Sequence, residues 1–126
     1  MIKAYLPEDL SLQVVDDNEN VVYSSSKKWL HPLLDLEKED LNFANLILID
    51  RIAGKAAAAL AIKMGFKKVK IELISELAKK LYNKHNVEVT YLKSVDKIGC
   101  MTESALEEES SIDEIYTFII NRLALN

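Results

Sequence analysis

The sequence predicts an α/β fold, a three-layer α/β/α sandwich around a mixed five-stranded sheet. Three observations predict it. The run Leu46-Ile47-Leu48-Ile49 is apolar at both parities, as a strand buried on both faces must be. Two alternating runs, Val69-Ile71-Leu73 and Val87-Val89-Tyr91, follow it with helical patterns in between. Successive strand–helix–strand units of this kind require parallel neighbours joined by right-handed crossovers. Finally, SLQVVD and NVVYSS flank the turn-forming cluster Asp16-Asp17-Asn18-Glu19-Asn20. Such residues tolerate left-handed backbone and bond their own main chain, so the two runs read as an antiparallel hairpin.

Taken in order, the first ten residues are expected to hold a short helix that starts or breaks at Pro7. The hairpin comes next. Ser24 to Lys28 is too polar for a core and reads as a loop. Pro32 suits a helix first turn, where its missing N–H costs nothing. Trp29 and Leu30 are expected to staple the start of that helix, and Leu33, Leu34 and Leu36 to form its apolar face. The strand Leu46–Ile49 ends at Asp50. The helix after it is rich in alanine, the best helix former, and Gly65 fits the position just past its end. Ser75 can cap a third helix whose apolar face is Leu77, Ala78, Leu81 and Tyr82. A loop from Lys93 to Gly99 leads to a helix from Cys100 to Glu109. Ser111 and Glu114 then stand at capping-box spacing before a last helix, whose Ile112, Ile115, Ile119 and Leu123 recur with helical period. All 126 residues are read as one domain.

Composition narrows the function. The net charge is −4, whereas sequence-independent nucleic-acid binding needs a surplus of Lys and Arg. Nucleic acid is therefore not expected as a partner. The single cysteine, Cys100, suits a reducing compartment. No apolar run is long enough to span a membrane, and the first ten residues carry no signal-peptide pattern. A cytoplasmic protein without membrane contact is expected. No cofactor is indicated.

The order of elements is also that of the cytidine deaminases, which hold zinc with His or Cys ligands and move protons with a Glu. Here the only candidates are His31, His85 and Cys100, without His-x-Glu or Cys-x-x-Cys. A zinc-activated water needs three converging protein ligands, so no metal site is expected.

Two segments can carry chemistry. The turn Asp50-Arg51-Ile52-Ala53-Gly54-Lys55 joins the carboxyl end of the central strand to a helix start. Ligands of open α/β sheets bind at such ends, and a helix start offers unpaired amides and partial positive charge to an anion. Gly54 would allow close approach, Lys55 would add charge, and Ser24 and Ser25 could reach in with hydroxyls. A purely structural alternative stays open: Gly54 serves packing, Lys55 is solvated and Asp50 caps the helix. The second segment is Cys100-Met101-Thr102-Glu103. A thiol at a helix start is activated, so Cys100 is a candidate nucleophile with Glu103 or Asp50 assisting. Its structural alternative is a small buried hydrophobe. The last helix carries Tyr116, Phe118, Ile119 and Ile120 on more than one face, which makes a homodimer or purely structural role a third reading.

The stretches SLQVVDDNENVVYSSS…HPLLDL, LILIDRIAGKAAAALAIKMG and Gly99-Cys100-x-x-Glu103 together resemble a small prokaryotic family of unknown function. That family has a cytidine-deaminase-like fold that lacks the zinc ligands. The resemblance covers about residues 10 to 108 and implies the sheet order 2-1-3-4-5. It also implies that Asp50, Gly54, Lys55, Cys100 and Glu103 form one site. The sequence departs from the family at Met101, where proline is usual, and at Ser24 to Lys28, where the loop usually contains glycine. The reading that joins these strands of argument is a zinc-less deaminase-like domain binding a small anionic, nucleotide-like ligand.

Overall fold

A computed structural model of the protein describes residues 5–96 and 111–125, with side chains through residue 121. Among these residues are five strands: β1 (Leu12–Val15), β2 (Val21–Ser25), β3 (Ile47–Ala53), β4 (Lys68–Ser75) and β5 (Glu88–Val95). They form one sheet in the order β2-β1-β3-β4-β5. β1 is antiparallel to β2 and β3, while β3, β4 and β5 are parallel. Among the described residues four helices flank the sheet: α1 (His31–Glu37), α2 (Lys55–Met64), α3 (Glu76–Lys84) and α4 (Ile112–Leu125). The arrangement is consistent with a three-layer α/β/α sandwich. The helix expected from Cys100 to Glu109 lies outside the described residues.

Local chemistry sets the boundaries. In the hairpin, Asp16 Oδ1 accepts from the amides of Asn18 and Asn20, each at 2.9 Å, and Glu19 takes φ 65°. Gly65 ends α2 with φ 103°, and a Cβ there would meet nothing within 4 Å. The left-handed backbone, not crowding, is what asks for glycine. Ser75 Oγ accepts the Ala78 amide at 3.1 Å and starts α3. Ser111 and Glu114 complete their capping box, with bonds of 3.1 and 3.2 Å between each side chain and the other's amide.

The core lies on one face of the sheet. Strand register puts Leu12, Val14, Leu48, Val69 and Ile71 on that face, all at most 1% exposed. α2 is its centrepiece, packed against α1, α3 and α4 as well as β3. Every residue from Ala56 to Ala61 is at most 5% exposed, so small side chains are required all round. α4 adds Ile115 and Ile119 to the same cluster, and its Tyr116 hydroxyl donates to Glu37 at 2.8 Å. The opposite face carries a smaller cluster, Leu6, Val15 and Ile49, with Tyr5 and Ile47 packed against it.

Three expectations are corrected. Described residues 5–10 form turns, not a helix. The Tyr5 and Leu6 amides donate to Glu72 Oε2 at 2.8 and 2.9 Å, so a side chain of the sheet takes bonds that a helix would have kept. β3 does not stop at Asp50 but pairs with β4 as far as Ala53, and β5 likewise takes in Lys93 to Val95. Parallel pairing satisfies polar backbone that the sequence pattern assigned to loops. Only Leu30 of the supposed staple is buried, while Trp29 is 40% exposed.

Candidate functional site

The carboxyl end of β3, the start of α2, the start of β1 and the segment leading into α1 enclose a cavity of about 420 Å³. Clefts of this size suit small ligands. Its lining includes Asp50, Gly54 and Lys55, three of the residues nominated from sequence, together with Ala56 and Ala57. Much of the remaining wall is apolar: Leu10, Leu12, Leu30, Pro32, Leu33 and Ile52. Trp29 lines it too.

The start of α2 is unusual. Gly54 is its N-cap in extended conformation and, having no side chain, makes no cap bond to the first turn. The first amides of a helix have no intrahelical acceptor, and those of Ala56 and Ala57 belong to residues that line the cavity. Asp50 does not cap this helix, because three further strand residues separate it from Gly54. Lys55, the first helical residue, is 1% exposed and not a solvated side chain. A cation at a helix start opposes the helix dipole.

Asp50 is 8% exposed and lies on the core face, in register with Leu12 and Ile71. Burial pushes its carboxyl up to about 7, against the smaller opposing effects of the Ile52 and Arg51 amides and the Arg51 charge. A carboxyl in this range can hold or release a proton near neutrality. Burial likewise raises the Tyr82 hydroxyl, and the nearby Asp50 charge adds to the effect.

Arg51 also lines the cavity, but its guanidinium is heavily committed. It donates to Leu10 O, to Pro7 O and to Glu72 Oε1, the last at 2.9 Å. Glu72 holds the Tyr5 and Leu6 amides with its other oxygen. This clamp fixes the 5–10 segment, which supplies Glu8, Asp9 and Leu10 to the cavity wall.

Ser24 and Ser25 belong to β2 and do not line the cavity, whereas Ser26 does. Ser25 instead shapes the loop, its hydroxyl accepting the Lys27 amide at 3.1 Å. Ser11 braces the same loop by donating to Ser25 O and Lys27 O. Cys100 and Glu103 lie outside the described residues. His31 begins α1 and is exposed; His85 is the exposed C-cap of α3. Among the described residues, no three His, Cys, Asp or Glu side chains group as metal ligands. No helix among them is long and apolar enough to cross a membrane. Sequence reasoning missed Trp29 as a cavity residue; its only signal was a lone aromatic in a polar loop.

The family model described as a domain of unknown function, DUF1893, matches residues 1–123. The chain belongs to the DUF1893 family. A solved structure of a DUF1893 family protein, TM1506 from Thermotoga maritima, is similar to it at 26% identity and TM-score 0.81. That alignment covers 91% of this chain and 82% of the other. No curated protein matches the chain. The DUF1893 assignment agrees with the expected membership of a small family of unknown function and brings no assigned activity with it.

Proposed function

We propose that this DUF1893 domain is a small-molecule binding module of the zinc-less, deaminase-like kind, taking an anionic, nucleotide-like ligand in the cavity at the start of α2. The observation that carries the reading is that the first turn of α2, whose N-cap is a glycine, opens into an apolar-walled cavity. Amides without side-chain caps are a ready site for phosphate or carboxylate oxygens. Gly54 puts no side chain over the backbone there, and the buried Lys55 adds positive potential at the same end. Asp50, able to carry a proton near neutrality, can donate to an anionic oxygen instead of repelling it. Leu30, Pro32 and Leu33 give the rest of the ligand a dry wall.

The test is calorimetric titration of the full chain with inorganic phosphate and with nucleoside monophosphates, repeated on Lys55→Met. Methionine keeps most of the buried stem, so far-UV circular dichroism should be unchanged. Saturable binding that weakens at least about tenfold in Lys55→Met is expected, the loss of one charge-assisted contact. Absence of binding by every probe, or equal binding by the folded variant, overturns the reading.

A further inference from the structure

The residue at the cavity wall that local geometry explains least is Trp29. The chain turns there, with the His31 amide donating to Lys28 O at 3.3 Å. Trp29 and Leu30 are the two central residues of that turn, with φ 60° at Trp29 and φ −94°, ψ −1° at Leu30. Those angles match a turn whose first central position favours glycine. Three residues other than glycine have positive φ among the described residues: Glu19, Trp29 and Asn86. Small polar residues tolerate this conformation better than a bulky aromatic does.

Burial does not explain the tryptophan. Its 40% exposure contrasts with 6% for Leu30 beside it. Its one ring contact among the described residues is edge-on to His31, with centroids 5.5 Å apart. The loop that carries it is nevertheless held in place by Ser11 and Ser25. A large indole is thus fixed, partly open, on the wall of a cavity. Ile52, 48% exposed, lines the same cavity. Backbone strain that packing does not explain is a mark of functional positions, and an accessible indole is the best side chain for stacking on a flat ring.

We infer that Trp29 is a stacking platform, and that the cavity takes a ligand with a flat aromatic ring on its body and an anionic group toward the start of α2. The inference rests on the anion-site reading and adds the residue that receives the ring of the ligand. Trp29 is the chain's single tryptophan, so its emission reports binding at this wall directly.

The experiment compares phenyl phosphate with cyclohexyl phosphate, two probes of equal charge and similar size that differ in aromaticity. Trp29 emission is followed on the full chain, and calorimetry on the full chain, on Trp29→Phe and on Trp29→Gly. Phenyl phosphate is expected to alter Trp29 emission and to bind at least about fivefold more tightly than the cyclohexyl ester, the lower end of ring-stacking effects. Trp29→Phe should keep most of that preference. Trp29→Gly should lose it while keeping or raising the thermal midpoint, because glycine suits the turn. Equal affinity for the two probes overturns the stacking role and leaves the anion site standing. A Trp29→Gly chain that no longer folds makes the indole a structural anchor and also overturns it. If neither ester nor phosphate binds, the anion-site reading fails and this inference fails with it.

Discussion

The fold contains two consecutive strand-to-helix turns at the same edge of the sheet, and they are built differently. β3 and β4 pair in parallel, with Asp50 opposite Ile71 and Ala53 opposite Ile74. Extending that offset puts Gly54 against Ser75 and Lys55 against Glu76. The β4–α3 turn follows local rules. Ser75 caps the helix, Glu76 complements the dipole in its first turn, and the matching core position is the fully buried Ile71. The β3–α2 turn breaks each of them. Its N-cap is a glycine without a side chain, its first residue is a buried lysine, and its core position is a buried carboxyl. Sequences violate such rules mainly where function requires it. Only the start of α2 borders the cavity.

The largest expected effect tests the carboxyl. A group whose pKa is raised on folding binds its proton more tightly in the native state. Protonated Asp50 therefore contributes stability below its unfolded value of 3.8, and that contribution is lost as pH rises through about 7. Asp50→Asn is neutral at every pH. It should be more stable than the wild type by ~4 kcal/mol at about pH 8 and equal to it at about pH 3. Urea midpoints of the two proteins that run parallel across this range would mean that Asp50 is not held out of water.

A smaller effect is expected at the rule-following turn. Ser75→Ala removes the Ala78 amide's acceptor and should cost about 1 kcal/mol in chemical denaturation. A cost near zero would remove the contrast between the two helix starts. The smallest effect makes one turn imitate the other. Gly54 has φ −97°, which any residue can adopt. Gly54→Ser should cap α2 and gain a few tenths of a kcal/mol, while its hydroxyl competes for the amides offered to phosphate. If calorimetry finds phosphate binding unweakened in this variant, the first turn of α2 is not where the anion sits.

Much of this was legible in the residues. The hairpin cluster Asp16–Asn20, Gly65, Ser75 and the Ser111–Glu114 box each work through neighbours a few positions away, so their roles could be read from spacing alone. The double-faced apolar run of β3 marked the central strand for the same reason, and the Asp50–Ala57 block carried the family resemblance. Asp50, Gly54 and Lys55 could be nominated together because one strand-to-helix turn joins them.

Other features depended on parts of the chain far apart in sequence. Tyr5 and Leu6 give up a helix because Glu72, more than sixty residues away, accepts their amides. β3 reaches Ala53 because β4 supplies pairing partners that no local pattern reveals. Lys55 is 1% exposed although it is a lysine at a helix start, where sequence alone suggests a solvated side chain. Trp29 lines the cavity because Ser11 and Ser25 hold its loop there. The sequence by itself determined the alternation of elements, their caps and the chemistry available at one turn, since backbone propensity and side-chain period are local. Only the tertiary structure decided which of those groups lose water and which share a cavity, because burial is a property of what packs around a residue.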